Sequence, residues 1–99
     1  MAVMVEIHFP ATAEDEWIDD VGDFMIDLEE EFGVTEYEDG EEWGDDYVFF
    51  LAGASERTLL AAASRVAVRK GVPPGAYAMV TVTDAPKVGL GRRVSLPVR

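Results

Sequence analysis

Six stretches of the chain alternate or cluster their apolar residues in ways that predict an element each. In "VMVEIHF" (3–9), Val3, Val5, Ile7 and Phe9 alternate with Met4, Glu6 and His8, the period of a strand with one buried side, and Pro10 ends it. From Glu14 to Phe32 the apolar residues Trp17, Ile18, Val21, Phe24, Met25, Leu28 and Phe32 recur at spacings of three and four, which predicts a helix of about five turns. Thr12 with Asp15 resembles a capping box at its start, and Gly33 suits its stop. "VTEYE" (34–38) and "DYVFFLA" (46–52) read as two strands of a hairpin, the second apolar on both faces and so central in its sheet. A second helix is predicted from about Ser55 to Lys70, burying Leu59, Leu60, Ala63, Val66 and Ala67, with Arg69 and Lys70 in its last turn and Gly71 as its stop. "AYAMVTVT" (76–83) alternates again, and after a glycine-rich connection "RRVSLPV" allows a short fifth strand at the C-terminal end.

The order strand, helix, strand, strand, helix, strand resembles the ferredoxin-like βαββαβ arrangement, an α+β plan with a four-stranded antiparallel sheet and both helices on one face. At 99 residues the expectation is a single domain over 1–99. In that plan the first and third strands are central and the second and fourth are edges. The resemblance is one of topology and brings no activity with it.

Charge changes this picture more than composition does. Residues 1–50 hold 18 of the 20 acidic residues and no Lys or Arg; residues 51–99 hold all eight basic residues with Glu56 and Asp84, so the halves carry −18 and +6. Such a field disfavours direct binding of nucleic acid or anionic lipid and speeds encounter with basic proteins. On the first helix, like charges stand four apart at Asp15–Asp19, Glu16–Asp20, Asp19–Asp23, Asp23–Asp27 and Asp27–Glu31. Five such pairs cost an isolated helix about 1–2.5 kcal/mol, which packing must override. Arg57, Arg65 and Arg69 of the second helix could compensate part of this within the molecule.

The densest run, "TEYEDGEEWGDD" (35–46), places Glu36, Glu38, Asp39, Glu41, Glu42, Asp45 and Asp46 around Tyr37 and Trp43. With Gly40 as the sixth position of an EF-hand loop, Thr35 and Tyr37 stand where the first two ligands belong, so no metal site is expected. Paired-carboxylate hydrolysis needs a desolvated carboxyl in a cleft, which a solvated hairpin does not supply. The pattern fits an interface in which Trp43 and Tyr37 anchor and the carboxylates steer.

The opposite sheet face would carry Met4, Glu6 and His8 beside Tyr77, Met79 and Thr81, joined by either Tyr47 and Phe49 or Val48 and Phe50. Left bare, it would be an apolar patch that a second copy of the chain could cover. His8, the one histidine, lies two residues from Glu6 on that face and could act as a base with an orienting carboxylate. "KVGLGRR" (87–93) lacks the spacing of a phosphate-binding P-loop and reads as a connector. The chain has no cysteine, no run long enough to span a membrane and no basic-then-apolar leader at its start, so a cytoplasmic protein without cofactor is expected. These features favour a non-enzymatic acidic module that binds a basic protein, of the immunity, antitoxin or inhibitor kind, with nucleic-acid mimicry as a variant. The alternative is a homodimeric small-ligand-binding protein or enzyme whose site uses Met4, Glu6, His8, Tyr77 and Met79.

Overall fold

A computed structural model describes residues 2–11, 16–38 and 40–98. The elements are β1 (Val3–Pro10), α1 (Glu16–Phe32), β2 (Thr35–Glu36), β3 (Glu41–Trp43), β4 (Asp46–Ala52), α2 (Glu56–Ala67), β5 (Tyr77–Val82) and β6 (Arg92–Ser95). The described residues form an α+β protein with two helices and one six-stranded antiparallel sheet, ordered β2-β4-β1-β5-β6, with β3 also pairing β4. The Thr12–Asp15 cap lies outside the described residues.

The alternation in β1 does what its period requires. Val5, Ile7 and Phe9 are buried with Phe49, Leu51 and Ala78 against Trp17, Val21, Met25 and Leu28 of α1 and Leu59, Ala62, Ala63 and Val66 of α2. Both helices therefore pack on one face of the sheet. The helical stripe is narrower than its periodicity: Ile18, Phe24 and Phe32 of α1 and Ala67 of α2 are only half-buried around this core. Gly33, at φ 70°, closes α1 through its amide to the Glu29 carbonyl. Ser55 caps α2 by accepting the Thr58 amide at 3.3 Å.

The structure corrects the sequence-based plan at four places. The strand expected over 34–38 is broken. β2 pairs Thr35 and Glu36 with Ala52 and Leu51, and β3 pairs Glu41 with Val48 and Trp43 with Asp46. Between these ladders the chain carries residues 37–40 while β4 advances only through Phe49 and Phe50. Two extra residues cannot be absorbed by a regular ladder, so one strand becomes two. Second, α2 ends at Ala67, which leaves Arg69 and Lys70 beyond the helix. Arg69 instead stacks on the Phe24 ring at 4.0 Å and grips both Asp20 oxygens of α1 at 3.0–3.1 Å. Third, β5 is not an edge strand, because β6 pairs with it from Tyr77↔Ser95 to Val80↔Arg92. The tail is held further by the Val98 amide donating to the Ser64 hydroxyl at 2.9 Å. Fourth, the helix-free face is not bare.

Candidate functional site

The helix-free face is built from residues that stand opposite one another across β4, β1 and β5. His8 is flanked by Val48 and Tyr77, and Glu6 by Phe50 and Met79. Register thus settles the open choice of the sequence in favour of Val48 and Phe50, while Tyr47 and Phe49 turn to the helices. The same parity brings Asp46 onto this face.

The segment 84–91, which overlaps the stretch 87–93 expected to be a connector, runs over these residues. Val88 packs on the cluster of Met4, Val48, Phe50 and Ala52, and the Gly89 amide donates to Glu6 Oε1 at 3.0 Å. Trp43 lies so close to this strap that a Cβ on Gly89 would stand 2.7 Å from the indole. Met4, Met79 and the cluster around them are therefore buried within one chain. The bare apolar surface that motivated a second copy at this position is not present.

Beneath the strap, His8 is fully buried (0% exposed) and Glu6 nearly so (1%). His8 Nε2 faces Glu6 Oε1 at 2.9 Å, and Nδ1 faces Asp46 Oδ2 at 3.3 Å. Two carboxylate oxygens on two ring nitrogens require either two imidazole N–H donors or a proton on one carboxyl. The imidazole stacks on Tyr77 (4.8 Å between centroids, 13° between planes) and meets the Trp43 ring edge-on at 5.5 Å and 84°. Arg93 covers Tyr77 at 3.9 Å. Tyr77 donates its hydroxyl to Asp46 Oδ2 at 3.0 Å. The result is a connected line, Gly89 to Glu6 to His8 to Asp46 to Tyr77, that starts on the strap and crosses strands β1, β4 and β5.

Chemically, this arrangement is a structural network more than a poised base. Both nitrogens of His8 are engaged and the ring has no open side toward solvent, whereas a general base must reach the proton it removes. Among the described residues no group of three or more His, Asp or Glu is spaced to hold a metal ion.

Burial pushes the Tyr77 phenol above its usual 10.0, and the hydrogen bond and negative charge of Asp46 push the same way. Arg93 acts against them, and Glu6 adds a smaller upward push. The folded state therefore holds this proton more tightly than the unfolded chain does. Its contribution is complete below about pH 10 and is lost as pH rises through the higher folded value. Urea unfolding followed across the alkaline range is expected to show stability falling above about pH 10, with a shallower fall in Tyr77→Phe. Equal slopes in the two proteins would mean that Tyr77 is not held this way.

The residues expected to form a partner surface lie at the β2/β3 edge. Glu38, Glu41, Glu42 and Asp45 are exposed and make no ion pair with the described residues. Glu36 is half-buried and engaged, and Asp39 lies outside the described residues. Tyr37 (45% exposed) reaches the Thr83 carbonyl at 3.4 Å, and Trp43 (42%) is shared between solvent and the His8 network. Asp46 belongs to the buried network and not to that surface. The sequence reading missed Asp46 as a partner of His8, although its parity with Val48 and Phe50 carried the information. The stretch 87–93, whose backbone amides and arginines could meet an anion but which reads as a connector, instead brings Val88, Gly89 and Arg93 onto this face.

No helix among the described residues is long and apolar enough to cross a membrane. Comparison of the chain with protein-family models, with curated proteins and with solved structures returned no match.

Proposed function

We propose that this protein is a non-enzymatic acidic binding module that engages a basic protein in the cytoplasm through the β2/β3 edge and the adjoining outer face of α1, as an immunity-, antitoxin- or inhibitor-type partner. The observation that carries the reading is the strand order. It puts β2 and β3 at one edge and β6, with Arg92 and Arg93, at the other, so the asymmetry of charge along the sequence becomes an asymmetry across the sheet. α1 packs next to β2, which joins the acidic helix to the acidic edge. Internal pairing is sparse on that side: Arg65 meets Glu31 at 3.0 Å and Arg69 meets Asp20, both pairs substantially exposed and so of small net worth. Tyr37 and Trp43 supply the aromatic anchors that protein interfaces favour. On this reading the architecture is a ferredoxin-like plan in which β2 and β3 together serve as one interrupted edge strand and β6 extends the other side.

The test is affinity capture from the native lysate at low and moderate salt, in parallel with the variant Glu38→Lys/Glu41→Lys/Glu42→Lys/Asp45→Lys. The expected result is a basic protein retained by the native chain, more weakly as salt rises, and bound about 10–100-fold more weakly by the variant. Recovery of no basic protein, or equal recovery by the variant, would reject the reading.

A further inference from the structure

The geometry around His8 fixes how many protons the buried line must hold. Nε2 meets Glu6 Oε1 at 2.9 Å and Nδ1 meets Asp46 Oδ2 at 3.3 Å, and each contact closes only with a hydrogen between its two atoms. The neighbouring donors are spent elsewhere: the Gly89 amide and the Tyr77 hydroxyl donate to these same carboxyl oxygens and bring no hydrogen to the ring contacts. A neutral imidazole between two carboxylates supplies one hydrogen for two contacts. The closed arrangement therefore holds one proton more than that, on the ring or on a carboxyl, and the proton belongs to the three groups jointly.

Without that proton, a ring nitrogen and a carboxylate oxygen would turn lone pairs on each other where His8 and Glu6 are shielded from solvent. Relief comes from letting water reach them. The part that can move is the strap: β1, β4 and β5 are held by their ladders, whereas segment 84–91 is fastened here through the Gly89 amide and the packing of Val88. The other ionisable groups facing this line are Tyr77 on β5, Arg93 of β6 over the Tyr77 ring, and Glu38, Glu41 and Lys87, which share a surface recess with Glu6. The last three are exposed and so screened, and both helices lie on the opposite face of the sheet. We propose that the strap 84–91 is a cover worked by one proton. It closes while the Glu6–His8–Asp46 line holds the proton and lifts when the proton leaves, uncovering Met4, Val48, Phe50 and Ala52 and parting Gly89 from Trp43. The closed form binds one more proton than the open form, so opening is favoured as pH rises above about 6.5, where a solvated imidazole becomes neutral. This device does not depend on the binding role proposed above.

Hydrogen exchange at the Gly89 amide of the full chain tests this, each rate divided by that of an unstructured peptide at the same pH to give an opening constant. Between about pH 7 and 9, above the ordinary imidazole range and below that of tyrosine, the constant is expected to rise about 10-fold per pH unit, the slope of one proton. Throughout, it is expected to exceed the constant of the Ala63 amide in α2, which marks the strap lifting while the core stays closed. Asp46→Asn supplies the missing hydrogen covalently: its amide donates to Nδ1 and to the Tyr77 oxygen while the Nε2 hydrogen meets Glu6. The slope is expected to vanish in that variant and to persist in Tyr77→Phe, which leaves both ring contacts in place. A flat constant in the native chain, an unchanged slope in Asp46→Asn, or a slope lost in Tyr77→Phe would overturn the proposal. So would equal opening of Gly89 and Ala63, since the whole fold would then be what responds. Should Asp46→Asn fail to fold, ring-nitrogen and carboxyl-carbon NMR shifts of the native chain at about pH 7 decide directly, a neutral ring between two ionised carboxylates being the overturning result.

Discussion

Replacing His8 with alanine is expected to destabilise the fold by about 3–5 kcal/mol, because it both leaves buried carboxyl oxygens without a partner and opens a cavity. That is a large share of the roughly 5–15 kcal/mol available to a domain. Among the described residues, Glu6 would keep only the Gly89 amide on Oε1 and nothing on Oε2, and Asp46 would keep only the Tyr77 hydroxyl. The stack on Tyr77 and the edge contact with Trp43 would go at the same time, leaving a cavity between β4 and β5. Urea unfolding of the two proteins at neutral pH measures the difference. A loss of less than about 1 kcal/mol would show that the network does not organise this face. The joint change His8→Leu/Glu6→Leu should be more stable than His8→Ala, because replacing both members by apolar groups leaves no orphaned polar group between them.

Gly91→Ala is expected to cost about 3 kcal/mol, at the upper end of what one strained residue exacts. Gly91 sits at φ 114°, a conformation that side chains with a Cβ rarely adopt, and an added Cβ would lie 2.2 Å from the Val80 carbonyl oxygen and 3.0 Å from its carbon. Both atoms belong to the backbone of β5, so no side-chain rotation relieves the collision. The chain must instead lift β6 away from the ladder that runs from Val80↔Arg92 to Tyr77↔Ser95. Because the strap 84–91 ends at this residue, the expected damage is local: faster hydrogen exchange at the Gly89 amide and altered Trp43 fluorescence, with the helical core unchanged. A variant with native exchange at Gly89 and native stability would show that the strap closes by some other constraint.

The proposed binding surface and the buried network meet at Trp43. Trp43 offers part of its ring to solvent while it also packs against His8. A partner that covers Trp43 therefore touches a ring packed against Gly89 of the strap, which couples recognition to the stability of this corner of the sheet.

Much of the architecture is legible in the sequence because it depends on local periods. Alternation over residues 3–9 determined which side of β1 meets the helices, and the spacing of Trp17, Val21, Met25 and Leu28 determined the buried stripe of α1. The same alternation placed Glu6 and His8 together on the other face, with Tyr77 and Met79 as neighbours. What the tertiary structure alone decided has no period to reveal it. The choice of Val48 and Phe50 over Tyr47 and Phe49 depends on register across β1 and β4, and with it came Asp46 as the second partner of His8. The break between β2 and β3 depends on two residues that the opposing strand does not match. The path of 84–91 depends on Glu6 offering an acceptor to Gly89, Trp43 leaving room for a residue without a side chain, and β5 offering an open edge to β6. Side-chain period is a property of a few consecutive residues. Register, strand breaks and strap closure are set by contacts between residues as many as 83 positions apart, and only the folded chain brings those together.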